Sequence, residues 1–144
     1  MKLFLDTNIL IDITANREPF SKWAINIFKD SKKGKWKLYT SSASILTTYY
    51  IIEKQIGSSQ AKRILKILLN RLEVQDITKR ELLTGLTTNF KDYEDSVQHE
   101  CAKLCKRIDY IITRNKKDFK NSIITVMSPE ELYFDSITDT NKPR

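Results

Sequence analysis

A chain of 144 residues with 40% hydrophobic and 30% charged content has the makeup of a single globular domain, not of a disordered or fibrous protein. At this length folding buries roughly two-thirds of the unfolded surface, so no disulfide or metal staple is required. Twenty-five basic residues against 18 acidic ones leave a formal charge of +7, which favours a polyanionic partner such as RNA or DNA; the plain alternative is a solvated basic surface.

Residues 3–5 form an apolar run that ends at Asp6 and is followed by Thr7 and Asn8. This pattern is that of a buried strand delivering a carboxylate to its C-terminal edge, where open parallel sheets place their ligand sites. Phe20, Trp23, Ala24, Ile27 and Phe28 then recur at helical spacing, and Gly34 is the expected C-terminal cap. Residues 36–39 read as a second short strand. Thr40, Ser41 and Ser42 offer N-caps for a helix reaching about Glu53, with Ile45, Tyr49 and Ile52 on its apolar face. Residues 56–59 are expected to form a loop. A further helix carries Ala61, Ile64, Leu65 and Leu68, and residues 72–74 suggest a third strand.

Residues 78–87 look helical. The next helix is expected to start near Lys91, with Tyr93, Val97, Cys101, Leu104 and Cys105 on one side. Cys101 and Cys105 share a helix face, a poor placement for a disulfide, and read as core filling. A zinc site built from them and His99 would lack a fourth ligand. Residues 110–113 have the continuous apolar character of a central parallel strand, and residues 123–126 suggest another. Ser128, Pro129 and Glu131 form a strong helix start, with Ser128 as N-cap, Pro129 in the first turn and Glu131 closing a capping box. Alternating strands and helices predict an α/β fold with a parallel sheet over residues 1–134, and a mobile C-terminal tail over residues 135–144. With no leader pattern and no long apolar run, the chain reads as cytoplasmic and reduced.

Three distant segments bring acids to the same expected edge. Asp6 follows the first strand. Asp92 and Asp95 share a face at the start of a helix, whose dipole favours negative charge, while Glu94 is rotated about 100° from them. Asn115 and Asp118 lie just beyond the strand at 110–113. Each acid alone is more simply a cap or a turn residue; their coincidence at one edge is what points to chemistry. Two carboxylates about 5 Å apart repel by roughly 3 kcal/mol at an effective dielectric near 20, so such a cluster calls for bound cations or raised pKa values. Hard oxygen donors suit Mg²⁺ or Mn²⁺, which can activate water and neutralise charge on a phosphodiester. Arg114, Lys116 and Lys117 flank the cluster and are candidates to hold a nucleic-acid backbone.

The stretches Leu3-Phe4-Leu5-Asp6-Thr7-Asn8-Ile9-Leu10, Lys91-Asp92-Tyr93-Glu94-Asp95-Ser96-Val97-Gln98 and Asp109-Tyr110-Ile111-Ile112-Thr113-Arg114-Asn115-Lys116-Lys117-Asp118-Phe119 together resemble the PIN domain, a family of small metal-dependent ribonucleases that includes VapC-type toxins. The resemblance spans residues 1–134. It implies a three-layer α/β/α sandwich with a central parallel sheet and an acidic pocket for one or two Mg²⁺ or Mn²⁺ ions. Carried over by position, it implies Asp6, Asp95 and Asp118 as metal-binding and catalytic acids. Thr7, Asn8, Thr47, Asp92, Thr113 and Asn115 would support them. The family often has a glutamate where Thr47 stands; Glu53 is a poor substitute, about 9 Å along an ideal helix and about 120° around it.

The activity implied is metal-dependent endoribonuclease cleavage of RNA, with toxin status, an antitoxin protein partner and a homodimer as further implications. Thr47 and Asn115 motivate a second reading, a catalytically weakened RNA- or protein-binding module. A phosphatase of the haloacid-dehalogenase kind would need a second aspartate where Asn8 stands.

Overall fold

The structure is a computed structural model that describes residues 1–140, with side chains through residue 134. The tail expected over residues 135–144 therefore lies outside the fully described residues. Five parallel strands form one sheet in the order β3-β2-β1-β4-β5. These are β1 (Lys2–Leu5), β2 (Lys37–Ser41), β3 (Leu72–Gln75), β4 (Tyr110–Ile112) and β5 (Val126–Met127). The centre of the sheet is β1, with β4 beside it. Among the described residues seven α-helices flank the sheet: α1 (Thr7–Ala15), α2 (Ser21–Lys32), α3 (Ser42–Ile56), α4 (Ser58–Arg71), α5 (Lys79–Thr84), α6 (Tyr93–Leu104) and α7 (Pro129–Thr140).

Strand alternation divides the core. Leu3 and Leu5 of β1 and Ile112 of β4 pack into one apolar cluster with Ile9, Leu10, Ile27 and Leu68, from α1, α2 and α4. Phe4 and Ile111 point the other way, onto Cys101 and Ala102 of α6 and Phe119. Each of these large side chains, when fully buried, contributes about 1.5–3 kcal/mol. The same alternation sends Asp6 to the Phe4 side of the sheet, the side covered by α6. The two layers of helices and the sheet between them make the expected α/β/α sandwich.

Several elements differ from expectation. Helix α1 follows Asp6 with no intervening loop, because the Asp6 carboxylate accepts from the Thr7 amide and serves as its N-cap; the short polar pair Thr7-Asn8 hides this start. Residues 56–59 are not a loop. Gly57 alone joins α3 to α4 at φ +84°, a backbone conformation that glycine adopts without steric cost.

Strand β2 begins one residue later than expected, since Trp36 donates its indole N–H to the Ile27 carbonyl and closes the core instead of pairing. The strand expected at 123–126 is β5 at Val126–Met127. Ile123 is 77% exposed, and Ser122 exchanges hydrogen bonds with Ile124 to form a turn. Helix α6 starts at Tyr93 because Asp92 is its cap. Tyr93 and Leu104 are exposed, so its buried face runs through Val97, Gln98, Cys101 and Ala102, rotated toward the acidic edge. The close approach of the 3₁₀ turn Gly85–Thr87 needs glycine: a Cβ on Gly85 would stand 2.8 Å from Val97 Cγ2.

Candidate active site

Asp6 is 5% exposed, and its carboxylate collects four donors. Oδ1 accepts from the Thr7 amide at 2.8 Å and from Gln98 Nε2 at 3.4 Å; Oδ2 accepts from the Thr113 hydroxyl at 2.8 Å and from Asn8 Nδ2 at 3.3 Å. The donors come from α1, α6 and the end of β4. The β1–β4 ladder continues through the Asp6 amide to the Ile112 carbonyl, which sets Thr113 beside Asp6. Burial raises the Asp6 pKa against the lowering effect of these hydrogen bonds.

Asn8 also accepts from the Arg114 amide and donates to Thr113, bracing the two strand ends against each other. Thr7 shares a hydrogen bond of 2.7 Å with Ser44 Oγ on α3, and Gln98 Nε2 bonds the same Ser44 oxygen. Sequence reasoning did not single out Ser44 or Gln98. The available signal was spacing: Gln98 lies three residues after Asp95, on the same helix face. Thr47 stands partly buried one turn beyond Ser44, and the α3 residue that touches the site is Ser44, through Thr7 and Gln98.

Asp95 is partly exposed in the first turn of α6, and its amide is capped by the Asp92 carboxylate at 3.0 Å. Its pKa is pushed up to about 7, first by burial and then by the negative charges of Asp6, Asp92, Asp118 and Glu94. Glu94 is raised too, by burial and by Asp6 and Asp92, so the acid that helical geometry set aside shares the same field. Asp118 is exposed in a 3₁₀ turn (Lys116–Phe119) entered through Asn115, whose carbonyl accepts from the Asp118 amide. Acids from β1, α6 and the turn after β4 thus act on one another.

Of the flanking cations, Arg114 is held by Asp12 and Lys116 by Glu131 at 2.8 Å. Lys117 lines a cleft of about 480 Å³ with Lys91, Lys120, Asn121 and Asp118. Two lysines that the sequence reading left aside therefore join it beside the acids. The pair Cys101 and Cys105 is buried with both thiols raised by burial, consistent with core filling. His99 Nε2 accepts from the Ile123 amide and the ring stacks on Phe90, a structural use.

The donor set fits a hydrated divalent cation. Among the described residues no three acidic, histidine or cysteine side chains close on one point. A hydrated divalent cation of the Mg²⁺ kind keeps several waters and takes only one or two protein carboxylates, so it needs no closed set of three. Gln98 Oε1, buried without a protein donor, adds a further hard oxygen in the side chain that touches Asp6.

The Asp95 shift has a measurable consequence. In the unfolded chain this carboxyl titrates near 3.8, and in the folded chain near 7. Between those values the folded protein keeps a proton that the unfolded chain has released. The resulting stabilisation is fully present at acid pH and is lost as pH rises through about 7. Solvent screening at this partly exposed site limits it to on the order of 1–2 kcal/mol. Thermal melts of metal-free protein are expected to show a lower Tm at pH 8 than at pH 5.5, with Mn²⁺ narrowing the gap. A Tm that rises across that interval would contradict the shared acidic field.

A parallel α/β/α sandwich with carboxylates gathered at the C-terminal edge of its central strands is the architecture of a small nuclease domain. The chain belongs to the PIN domain family, whose model matches residues 2–117. It is 33% identical over 137 residues to Ribonuclease VapC1 of Aquifex aeolicus, covering 90% of this chain and 92% of that protein. Solved structures share the fold. A toxin–antitoxin complex from Klebsiella pneumoniae matches at TM-score 0.65 and 23% identity, covering 88% of this chain and 97% of that one. VapBC2 from Rickettsia felis, bound to a DNA fragment from its promoter, matches at 0.63 and 18%, covering 89% and 98%.

Proposed function

We propose that this protein is a metal-dependent endoribonuclease that hydrolyses RNA phosphodiester bonds and serves as the toxin of a toxin–antitoxin pair. The observation that carries the reading is the buried Asp6 carboxylate, held by four donors at a sheet edge where Asp95, Asp92, Glu94 and Asp118 share its field. The name of the Aquifex relative supports ribonuclease activity, and the solved complexes of similar fold support an antitoxin partner. Its place of action is the cytoplasm. Among the described residues no helix is long and apolar enough to cross a membrane.

Asp6, Asp95 and Asp118 would hold Mg²⁺ or Mn²⁺, no more than two of them directly and the rest through the ion's water shell. An ion held there would supply an activated water and offset charge on the phosphodiester. Thr113, Asn8 and Gln98 fix the orientation of Asp6, and Thr7 with Ser44 fixes Gln98. Lys91, Lys117 and Lys120 bind RNA phosphates beside Asp118. The uncharged side formed by Ser44 and Gln98 favours modest metal affinity, since it adds no further charge.

Purified protein is expected to bind Mn²⁺ with micromolar affinity by calorimetry and to cut RNA in a chelator-sensitive reaction. Asp118→Asn should lower cleavage by roughly 10- to 100-fold while leaving the melting temperature unchanged. RNA binding with neither Mn²⁺ heat nor cleavage would favour the non-catalytic binding module instead.

A further inference from the structure

Next to the acidic edge lies a second cleft, of about 240 Å³, lined by Phe20, Trp23, Arg114, Ser128, Pro129 and Glu130. Its composition differs from that of the lysine cleft. One face of the Phe20 ring is covered by the Arg114 guanidinium, whose Cζ stands 4.0 Å from the ring centroid, yet Phe20 remains 43% exposed. The guanidinium is not free to wander. Its Nε donates to Asp12 Oδ2 at 2.7 Å and a second nitrogen donates to Asp12 Oδ1 at 3.3 Å, and Asp12 is fully buried. Trp23 is set by its tilted packing on Tyr133. The cleft therefore presents flat π and guanidinium surfaces held in place before any ligand arrives.

The cleft adjoins the acidic site through the backbone of Arg114. The Arg114 amide donates to Asn8 Oδ1, and Asn8 Nδ2 donates to Asp6 Oδ2, so a single asparagine separates the cleft wall from the buried carboxylate. Acids that act on a phosphodiester require the adjoining nucleotides to lie within a few ångströms. A phosphate is served by the lysines on the Asp118 side; an aromatic ring beside a fixed arginine serves a base. We infer that this cleft is a base-stacking subsite, which takes one unpaired nucleobase of the RNA strand next to the bond being cut. The inference rests on the ribonuclease reading for the identity of the strand, but stacking itself needs no metal. Stacking is tolerant of base identity because every base has a π face, so the subsite sets the register of the strand. Ser128 is engaged in the α7 cap, so the Glu130 carboxylate is the rim group available to discriminate among base edges.

The test separates binding from cutting. Metal-free protein is titrated with three 12-residue probes: oligouridylate, oligoadenylate and an abasic ribose-phosphate strand of equal charge. Anisotropy of an end label reads affinity, and Trp23 fluorescence reads contact. The base-bearing strands are expected to bind about 5- to 150-fold tighter than the abasic one, the range that stacking one base supplies. Phe20→Leu, which keeps apolar bulk at an exposed position, should remove most of that ratio without weakening the abasic strand. Phe20→Trp should keep it. An unchanged ratio in Phe20→Leu overturns the proposal. So does a Trp23 signal that an unrelated apolar peptide displaces while base-bearing RNA does not, which would assign the cleft to a protein segment. If the ratio follows Phe20 but no RNA is cut with Mn²⁺, the subsite stands and the ribonuclease reading fails.

Discussion

Asp6→Asn is expected to end RNA cleavage, with a loss of at least about 10³-fold, while the protein stays folded. The substitution keeps the shape of the side chain and removes its charge. In the wild-type protein that charge sits 5% exposed, and burial works against it. A neutral amide relieves the desolvation penalty. Its oxygen can still accept from the Thr7 amide and Gln98, while its NH₂ turns toward the Thr113 hydroxyl and gives up the bond that Asn8 Nδ2 donated there. Stability should therefore change by no more than about 1 kcal/mol, because the lost charge-assisted bonds and the regained desolvation oppose each other. A labelled RNA assay beside a thermal melt separates the two effects. Undiminished cutting by the variant would remove Asp6 from the mechanism, and a collapsed melt would make its role structural.

The largest stability effect is expected at a residue that the sequence did not single out. Asp12→Ala should destabilise the fold by about 2–4 kcal/mol. Asp12 is fully buried on α1 and holds Arg114 at 2.7 Å and Arg17 at 3.2 Å. Removing it leaves two guanidinium groups without a counter-charge in the middle of the chain's connections. The cost stays below that of a fully buried pair because the side chains of Arg114 and Arg17 are 25% and 40% exposed, and water can reach them. For a domain of this size the drop corresponds to a Tm lower by roughly 5–15 °C. Circular dichroism melts check it, and an unchanged Tm would mean that the cluster contributes nothing. The same variant frees Arg114 from its fixed orientation over Phe20, so any base preference should fall with it.

Much of the framework was legible in the chain itself. The alternation of residues 3–6 determined which side of the sheet Asp6 would face, since side chains along a strand alternate without exception of sequence context. Helical spacing located α2, α3, α4 and α6, and the Ser128-Pro129-Glu131 cap marked the start of α7, where Ser128 Oγ accepts from the Glu131 amide as expected. The boundaries that slipped were those decided by tertiary contacts. Trp36 left strand β2 because its indole found the Ile27 carbonyl, 9 residues back. Helix α6 turned its buried face toward Gln98 because that amide reaches Asp6 and Ser44, which are 92 and 54 residues away.

The sequence by itself determined which acids follow an apolar run or open a helix, and the basic balance of the chain. Those properties belong to residue types and local periodicity, which every segment carries with it. Only the tertiary structure decided which neighbours each charge would have. Arg114 and Lys116, adjacent to the acids in sequence, spend their charge on Asp12 and Glu131, whereas Lys91 and Lys120, unremarked in the chain, border Asp118. Electrostatic energy depends on distance through space and on burial. Both are set when the sheet brings residues 6, 95 and 113 together, and neither is written in their separation along the chain.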